Sequence, residues 1–194
     1  MKRLSVSTIA QQIGGVIIQG SENLLVNNFA YHIKKVKQCT VYFDLLHEKT
    51  AASGYYFKNT LCAVVTDELE RFVRCGENVT IIYVKDIDKA YWKLIDAYRA
   101  MFTIPVIGVT GTCGKTTTKE MIRHILEEKY KVNATYKSFN AEFRHLGYLL
   151  KIDEDTQAAV YEMGVASPGN LKVSCRYFKP QVGVITNIGV DHFK

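Results

Sequence analysis

Apolar positions along this chain change period several times, and each change predicts an element. Ile9, Ala10 and Ile13 recur at helical spacing behind Ser7 and Thr8, either of which can cap a helix, and Gly14-Gly15 ends it. Short apolar runs at 16–19, 24–29, 40–43, 61–65 and 79–84, separated by turns rich in Gly, Asn, Asp and Lys, predict strands. Behind Asp86 and Asp88, two candidate caps, Ile87, Tyr91, Leu94, Ile95 and Tyr98 share a helix face with Trp92 at its edge. Phe102-Thr103-Ile104-Pro105 interrupts that helix, because a residue before proline is pushed to extended geometry. The boundary between two domains, 1–101 and 102–194, is placed there.

Beyond Pro105 strands alternate with helices. A strand over 106–110 runs into a glycine turn and then a helix over 115–130, where Met121, Ile122, Ile125 and Leu126 form an apolar stripe and Lys119, Glu120, Arg123 and Glu127 fall elsewhere. Next come a short strand near 130–134, a helix at 141–150, a strand at 158–162, a helix from Ser167-Pro168 and a strand at 182–186. The fold class is therefore α/β: a small N-terminal α/β domain, then a mainly parallel sheet with ligands expected at the carboxyl ends of its strands.

The turn at 110–117 carries the clearest chemistry. Thr110, Gly111, Thr112, Cys113, Gly114, Lys115, Thr116 and Thr117 join a strand to a helix start, so freed backbone N–H groups and the Lys115 ammonium converge on anionic oxygens. Thr116 adds a hydroxyl for Mg²⁺, and the constellation predicts binding of ATP or GTP. The strict P-loop spacing is not met, since Val109 stands where its first glycine belongs. Cys113 needs no role of its own in a loop that works through its backbone. Two further strand ends are chemically loaded: one delivers Glu162-Met163-Gly164, a carboxylate for Mg²⁺, and the other Asn187-Ile188-Gly189-Val190-Asp191-His192. His192 is a candidate metal ligand, phosphate contact or acid/base group. Asn140, ahead of an apolar run, reads first as a helix cap.

Composition narrows the partners. With 47% hydrophobic residues the chain supports folded cores. The Lys2-Arg3 start has no continuous apolar stretch behind it, and no run is long enough to span a bilayer. Neither a membrane nor, given scattered basic residues without a recognised module, nucleic acid is expected as a partner, although the net charge is +6. Five cysteines without paired metal-ligand spacing suit reduced thiols and a cytoplasmic protein.

Taken together, Thr110–Met121, Tyr161-Glu162-Met163-Gly164 and Ile185–His192 resemble the Mur ligase family, over about half the chain and in the family's motif order. The first hundred residues resemble its N-terminal substrate domain more weakly. The resemblance implies an ATP-dependent amide-bond ligase of cell-wall precursor synthesis. A small-molecule carboxylate would be activated as an acyl phosphate and captured by an amine. It implies that Lys115 and the loop amides hold the β- and γ-phosphates, Thr116 and Glu162 one Mg²⁺ and His192 a second, with Asn140 near the substrate. It also implies that the ATPase domain, having no residue placed as the family's carbamylated lysine, is incomplete and inactive by itself. Where the family's UDP-sugar enzymes carry Asp-Ser-Arg, this chain has Ala30-Tyr31-His32-Ile33-Lys34-Lys35. A nucleotide-binding regulatory module without ligase activity is the alternative reading.

Overall fold

The computed structural model describes residues 1–49, 57–135, 143–165 and 167–189, without the side chains of 143–146. It divides into two compact units, Met1–Ala97 and Tyr98–Lys194, and the division falls inside a helix rather than at the proline-containing link.

The first unit opens with β1 (Leu4–Ser5) and α1 (Val6–Ile13). Ser5, not Ser7 or Thr8, caps α1: its extended backbone ends β1, and its hydroxyl accepts the Thr8 N–H at 3.2 Å. Gly14, left-handed at φ 71°, closes the helix. Then come β2 (Val16–Gln19), β3 (Leu25–Val26), β4 (Asn28–Ala30), β5 (Thr40–Phe43), β6 (Cys62–Thr66), β7 (Val79–Tyr83) and α2 (Ile87–Ala100). The run expected as one strand at 24–29 breaks at Asn27. β3 pairs antiparallel with β1 and β4 parallel with β5, so one apolar run serves two sheets, a choice of partner that hydrophobic alternation does not encode.

The larger sheet has the order β2-β7-β6-β5-β4, with β4 to β7 parallel and β2 antiparallel to β7. β5 and β6 are buried along their whole length, as expected of parallel strands covered on both faces. Ala30, Tyr42, Cys62, Val64, Phe72 and Ile81 belong to one core cluster. Asp86 rather than Asp88 caps α2, its carboxylate accepting the Lys89 N–H at 2.8 Å, and Tyr91 packs against Phe29 and Phe43.

In the second unit the last turn of α2 is anchored by Tyr98, whose hydroxyl donates to the Ile152 carbonyl, and by Arg99, whose Nε donates to the Phe178 carbonyl. The elements that follow are β8 (Val106–Thr110), α3 (Lys115–Glu127), β9 (Val132–Ala134), a 3₁₀ helix Phe143–Lys151, β10 (Ala158–Glu162), α4 (Asn170–Phe178) and β11 (Val182–Ile185). Gly147, a poor α-helix former, sits within the stretch that winds as 3₁₀ where an α-helix is expected. The sheet is wholly parallel, in the order β11-β8-β10-β9. The connections from β8 to β9 and from β10 to β11 run in opposite directions across the sheet, so the right-handed crossover rule assigns α3 and α4 to opposite faces. The register sets Glu162 beside Val109 and Ile185 beside Thr110, so the ends of β10, β8 and β11 form one rim.

α3 departs from its expected orientation. Met121 is 63% and Ile125 73% exposed, while Lys119 is completely buried. Ile122 and Leu126 remain half-buried, so the helix is rotated by less than one residue step, ~100°, from the phase its apolar stripe predicts. The cause lies in two polar anchors on the same side: the Thr116 hydroxyl donates to Glu162 and the Lys119 ammonium to the Thr135 carbonyl, each at 2.7 Å.

Candidate phosphate and magnesium site

The loop between β8 and α3 is shaped by two glycines and held by the segment after β11. Gly111 adopts φ 133°, and a Cβ there would collide with the Thr186 hydroxyl and the Asn187 backbone. Gly114, at φ 80°, turns the chain into α3. The Thr118 N–H reaches the Gly114 carbonyl, which leaves the N–H groups of the first helical residues without carbonyl acceptors inside the helix. Those amides and the positive end of α3 suit an anion.

Thr186 and Asn187 fix the outer side of the loop. The Thr186 hydroxyl donates to the Cys113 carbonyl at 2.6 Å, and the Asn187 carboxamide oxygen accepts the Cys113 N–H at 3.0 Å. The Thr112 N–H donates to the Asn187 carbonyl, and the Gly189 N–H to the Thr112 hydroxyl. On the inner side the Thr110 hydroxyl donates to the Met163 carbonyl. Lys115 folds back over its own loop, its Nζ donating to the carbonyls of Gly111 (2.8 Å) and Thr112 (2.9 Å). The ammonium thus lies against two neutral carbonyls of its own loop.

Glu162, 2% exposed at the tip of β10, accepts the Thr116 hydroxyl on Oε2 at 2.7 Å. Its backbone N–H donates to the Thr135 hydroxyl at 3.0 Å. A hydroxyl and a carboxylate in contact beside an anion cradle form the donor set Mg²⁺ uses when phosphates and water complete its octahedron. Among the described residues no group of three or more His, Cys, Asp or Glu side chains could hold a metal by itself. Asn140 and His192, expected near the substrate and at a second metal, lie outside the described residues. A concavity along α3, lined by Thr117, Glu120, Met121, Arg123, His124 and Ile125, shares only Thr117 with the loop.

All five cysteines are free thiols. Burial pushes the Cys62 thiol up to about 12 and Cys75 up to about 11, which keeps both protonated and unreactive, while Cys113 is exposed within the loop.

The carboxyl ends of the first unit's parallel strands gather a second polar group. Buried Asp44 accepts the Arg71 guanidinium at 2.8 Å and the Tyr42 hydroxyl at 3.1 Å. Arg71 also donates to the Glu48 carbonyl, and Glu48 accepts the Ile33 N–H at 2.6 Å with His32 at 3.5 Å. The segment 30–35 is thus held through the Ile33 backbone and the His32 side chain, with the Tyr31 and His32 rings in contact within it.

Residues 109–194 match the model of the Mur ligase middle domain. The chain is 32% identical to the UDP-N-acetylmuramoyl-tripeptide–D-alanyl-D-alanine ligase of Bacillus subtilis, in an alignment that covers all of this chain and 43% of that protein. The chain belongs to the Mur ligase family. The enzyme of the same name from Synechocystis sp. is 31% identical over 89% of this chain and 38% of its own length. The fold is that of crystallised Mur ligases: MurF from Acinetobacter baumannii superposes with a TM-score of 0.80 at 19% identity, covering all of this chain and 42% of that one. MurF from Thermotoga maritima, crystallised in complex with ADP, superposes with a TM-score of 0.68 at 25% identity over 84% of this chain and 38% of its own. The chain spans less than half the length of these Mur ligases.

The sequence motifs thus lead to the right family and fold class. Sequence reasoning missed Lys119, Thr135, Thr186 and Asn187 as parts of the site. Thr186 and Asn187 sit in the motif that contains His192 and could have been singled out there, whereas nothing local marks Lys119 or Thr135.

Proposed function

We propose that this chain supplies the nucleotide phosphate site of an ATP-dependent amide-bond ligase of cell-wall precursor synthesis. Its carboxylate substrate would be a UDP-muramoyl tripeptide and its amine D-alanyl-D-alanine, joined through an acyl phosphate. The 2.7 Å contact between Thr116 and Glu162, made where the phosphate loop and the adjacent parallel strand end together, carries this reading. Lys115 would leave the Gly111 and Thr112 carbonyls and neutralise the β- and γ-phosphates, and the amides at the start of α3 would fix their orientation. Thr116 and Glu162 would hold one Mg²⁺ and His192 a second. The ion supplies charge neutralisation on the phosphates, and positioning and electrostatics supply most of the acceleration in such transfers. The expected setting is the cytoplasm, where ATP is available, with neither nucleic acid nor membrane as partner; among the described residues no helix is long and apolar enough to cross a membrane.

ATP titrated into the chain in Mg²⁺ should bind, and Lys115→Ala should abolish the heat of binding. For the reaction, residues 1–194 grafted over the matching segment of the Bacillus subtilis relative should release ADP only when both the carboxylate and the amine are supplied. ATP binding in that graft with ADP release indifferent to both would favour the regulatory reading. Ala30–Lys35, which stand where UDP-sugar enzymes of the family carry Asp-Ser-Arg, keep that reading in play.

A further inference from the structure

Lys119 is the fully buried lysine of α3, on a helix whose other charged side chains reach solvent. Burying an ammonium is costly unless it is paired and hydrogen-bonded. Its Nζ donates to the Thr135 carbonyl and to the Glu120 carboxylate, each at 2.7 Å. Thr135, directly after β9, has a second role through its hydroxyl, which accepts the Glu162 N–H at 3.0 Å. Glu162 in turn accepts the Thr116 hydroxyl, and Thr116 lies one turn before Lys119 on the same helix. These bonds close a circuit: α3 to β9 through Lys119, β9 to β10 through Thr135, and β10 back to α3 through Glu162 and Thr116.

We propose that Lys119 is a positioning residue for the magnesium pair, its ammonium fixing the end of β9 so that Thr135 holds the Glu162 backbone and points the carboxylate at Thr116. The proposal rests on the nucleotide reading above. Lys119 touches neither phosphate nor metal, and it acts on the ion's affinity through Glu162. Partners of this kind orient metal ligands, and losing one typically costs about 10–100-fold in metal affinity.

The test separates metal-dependent from metal-free binding. ATP affinity of the 194-residue chain is measured across a Mg²⁺ series and in EDTA for wild type, Lys119→Met, Thr135→Val, Glu162→Gln and the Lys119→Met/Glu162→Gln pair, with thermal melts of each in EDTA. In both Lys119→Met and Thr135→Val the Mg²⁺ concentration giving half-maximal enhancement should rise about tenfold or more, with metal-free affinity unchanged within about twofold. Adding Lys119→Met to Glu162→Gln should cause no further loss of the Mg²⁺ effect, since the two act on one element. Equal losses with and without metal, or additive losses in the pair, overturn the proposal and leave Lys119 a purely structural anchor. Where Lys119→Met does not fold, Thr135→Val decides by the same split. If wild type binds ATP identically with and without Mg²⁺, it is the nucleotide-site reading that fails, before Lys119 is tested.

Discussion

At the scale of single residues, the chemistry is set by a few bonds between side chain and backbone. Gly111 has no alternative, because its φ of 133° and the crowding by Thr186 and Asn187 both exclude a side chain. Gly111→Ala should therefore abolish nucleotide binding and lower the melting temperature of the second unit, read by ATP titration and calorimetry. In the first unit, Arg71 compensates buried Asp44. Burial holds the Asp44 carboxyl above the usual carboxylate value, and Arg71 pulls it back in part. A raised native pKa means that the native state holds the proton longer than the unfolded chain, so this group's contribution falls as pH rises through that window. Arg71→Ala removes the opposing charge and raises the carboxyl further. The variant should lose about 3–5 kcal/mol near neutral pH. That deficit should shrink as pH falls through the carboxylate range, which denaturant melts at stepped pH would follow.

At the scale of elements, α3 shows why a pattern of apolar residues fixes the existence of a helix more firmly than its rotation. The stripe Met121, Ile122, Ile125 and Leu126 has the right period, yet its centre faces away from the sheet, because Thr116 and Lys119 must face β10 and β9. Two exposed apolar side chains cost little, whereas a buried ammonium without its acceptor costs much more, so the polar anchors decide the phase. Met121→Gln and Ile125→Gln should each change stability by less than about 0.5 kcal/mol. Leu126→Ala, on the half-buried side, should cost clearly more when all three variants are compared in urea melts, the reverse of what a stripe-centred helix would give for Ile125. The caps follow a similar rule. Ser5 and Asp86 were chosen over equally suitable neighbours by where the preceding strand or turn delivers the chain.

At the scale of the whole molecule, the two units carry different kinds of sheet, and the proposed nucleotide site lies in the second. Mg²⁺ and ATP together should slow amide exchange at 111–117, 162–163 and 186–189, while the sheet amides of Met1–Ala97 keep their rates; protection spread evenly over the chain would contradict a local phosphate site. The loop at 110–117 and Glu162 could be singled out in the sequence because each motif is contiguous and ends a strand. The supporting residues could not be, since Lys119, Thr135 and Glu162 are far apart along the chain and meet only when β9 and β10 pair. The sequence alone determined the α/β class, the family and the contiguous motifs at the strand ends, all of which depend on local spacing and local backbone chemistry. Only the tertiary structure decided the rotation of α3, the splitting of residues 24–29 between two sheets and the burial of Lys119. Those outcomes depend on which strands lie side by side and which polar groups must find partners once water is excluded.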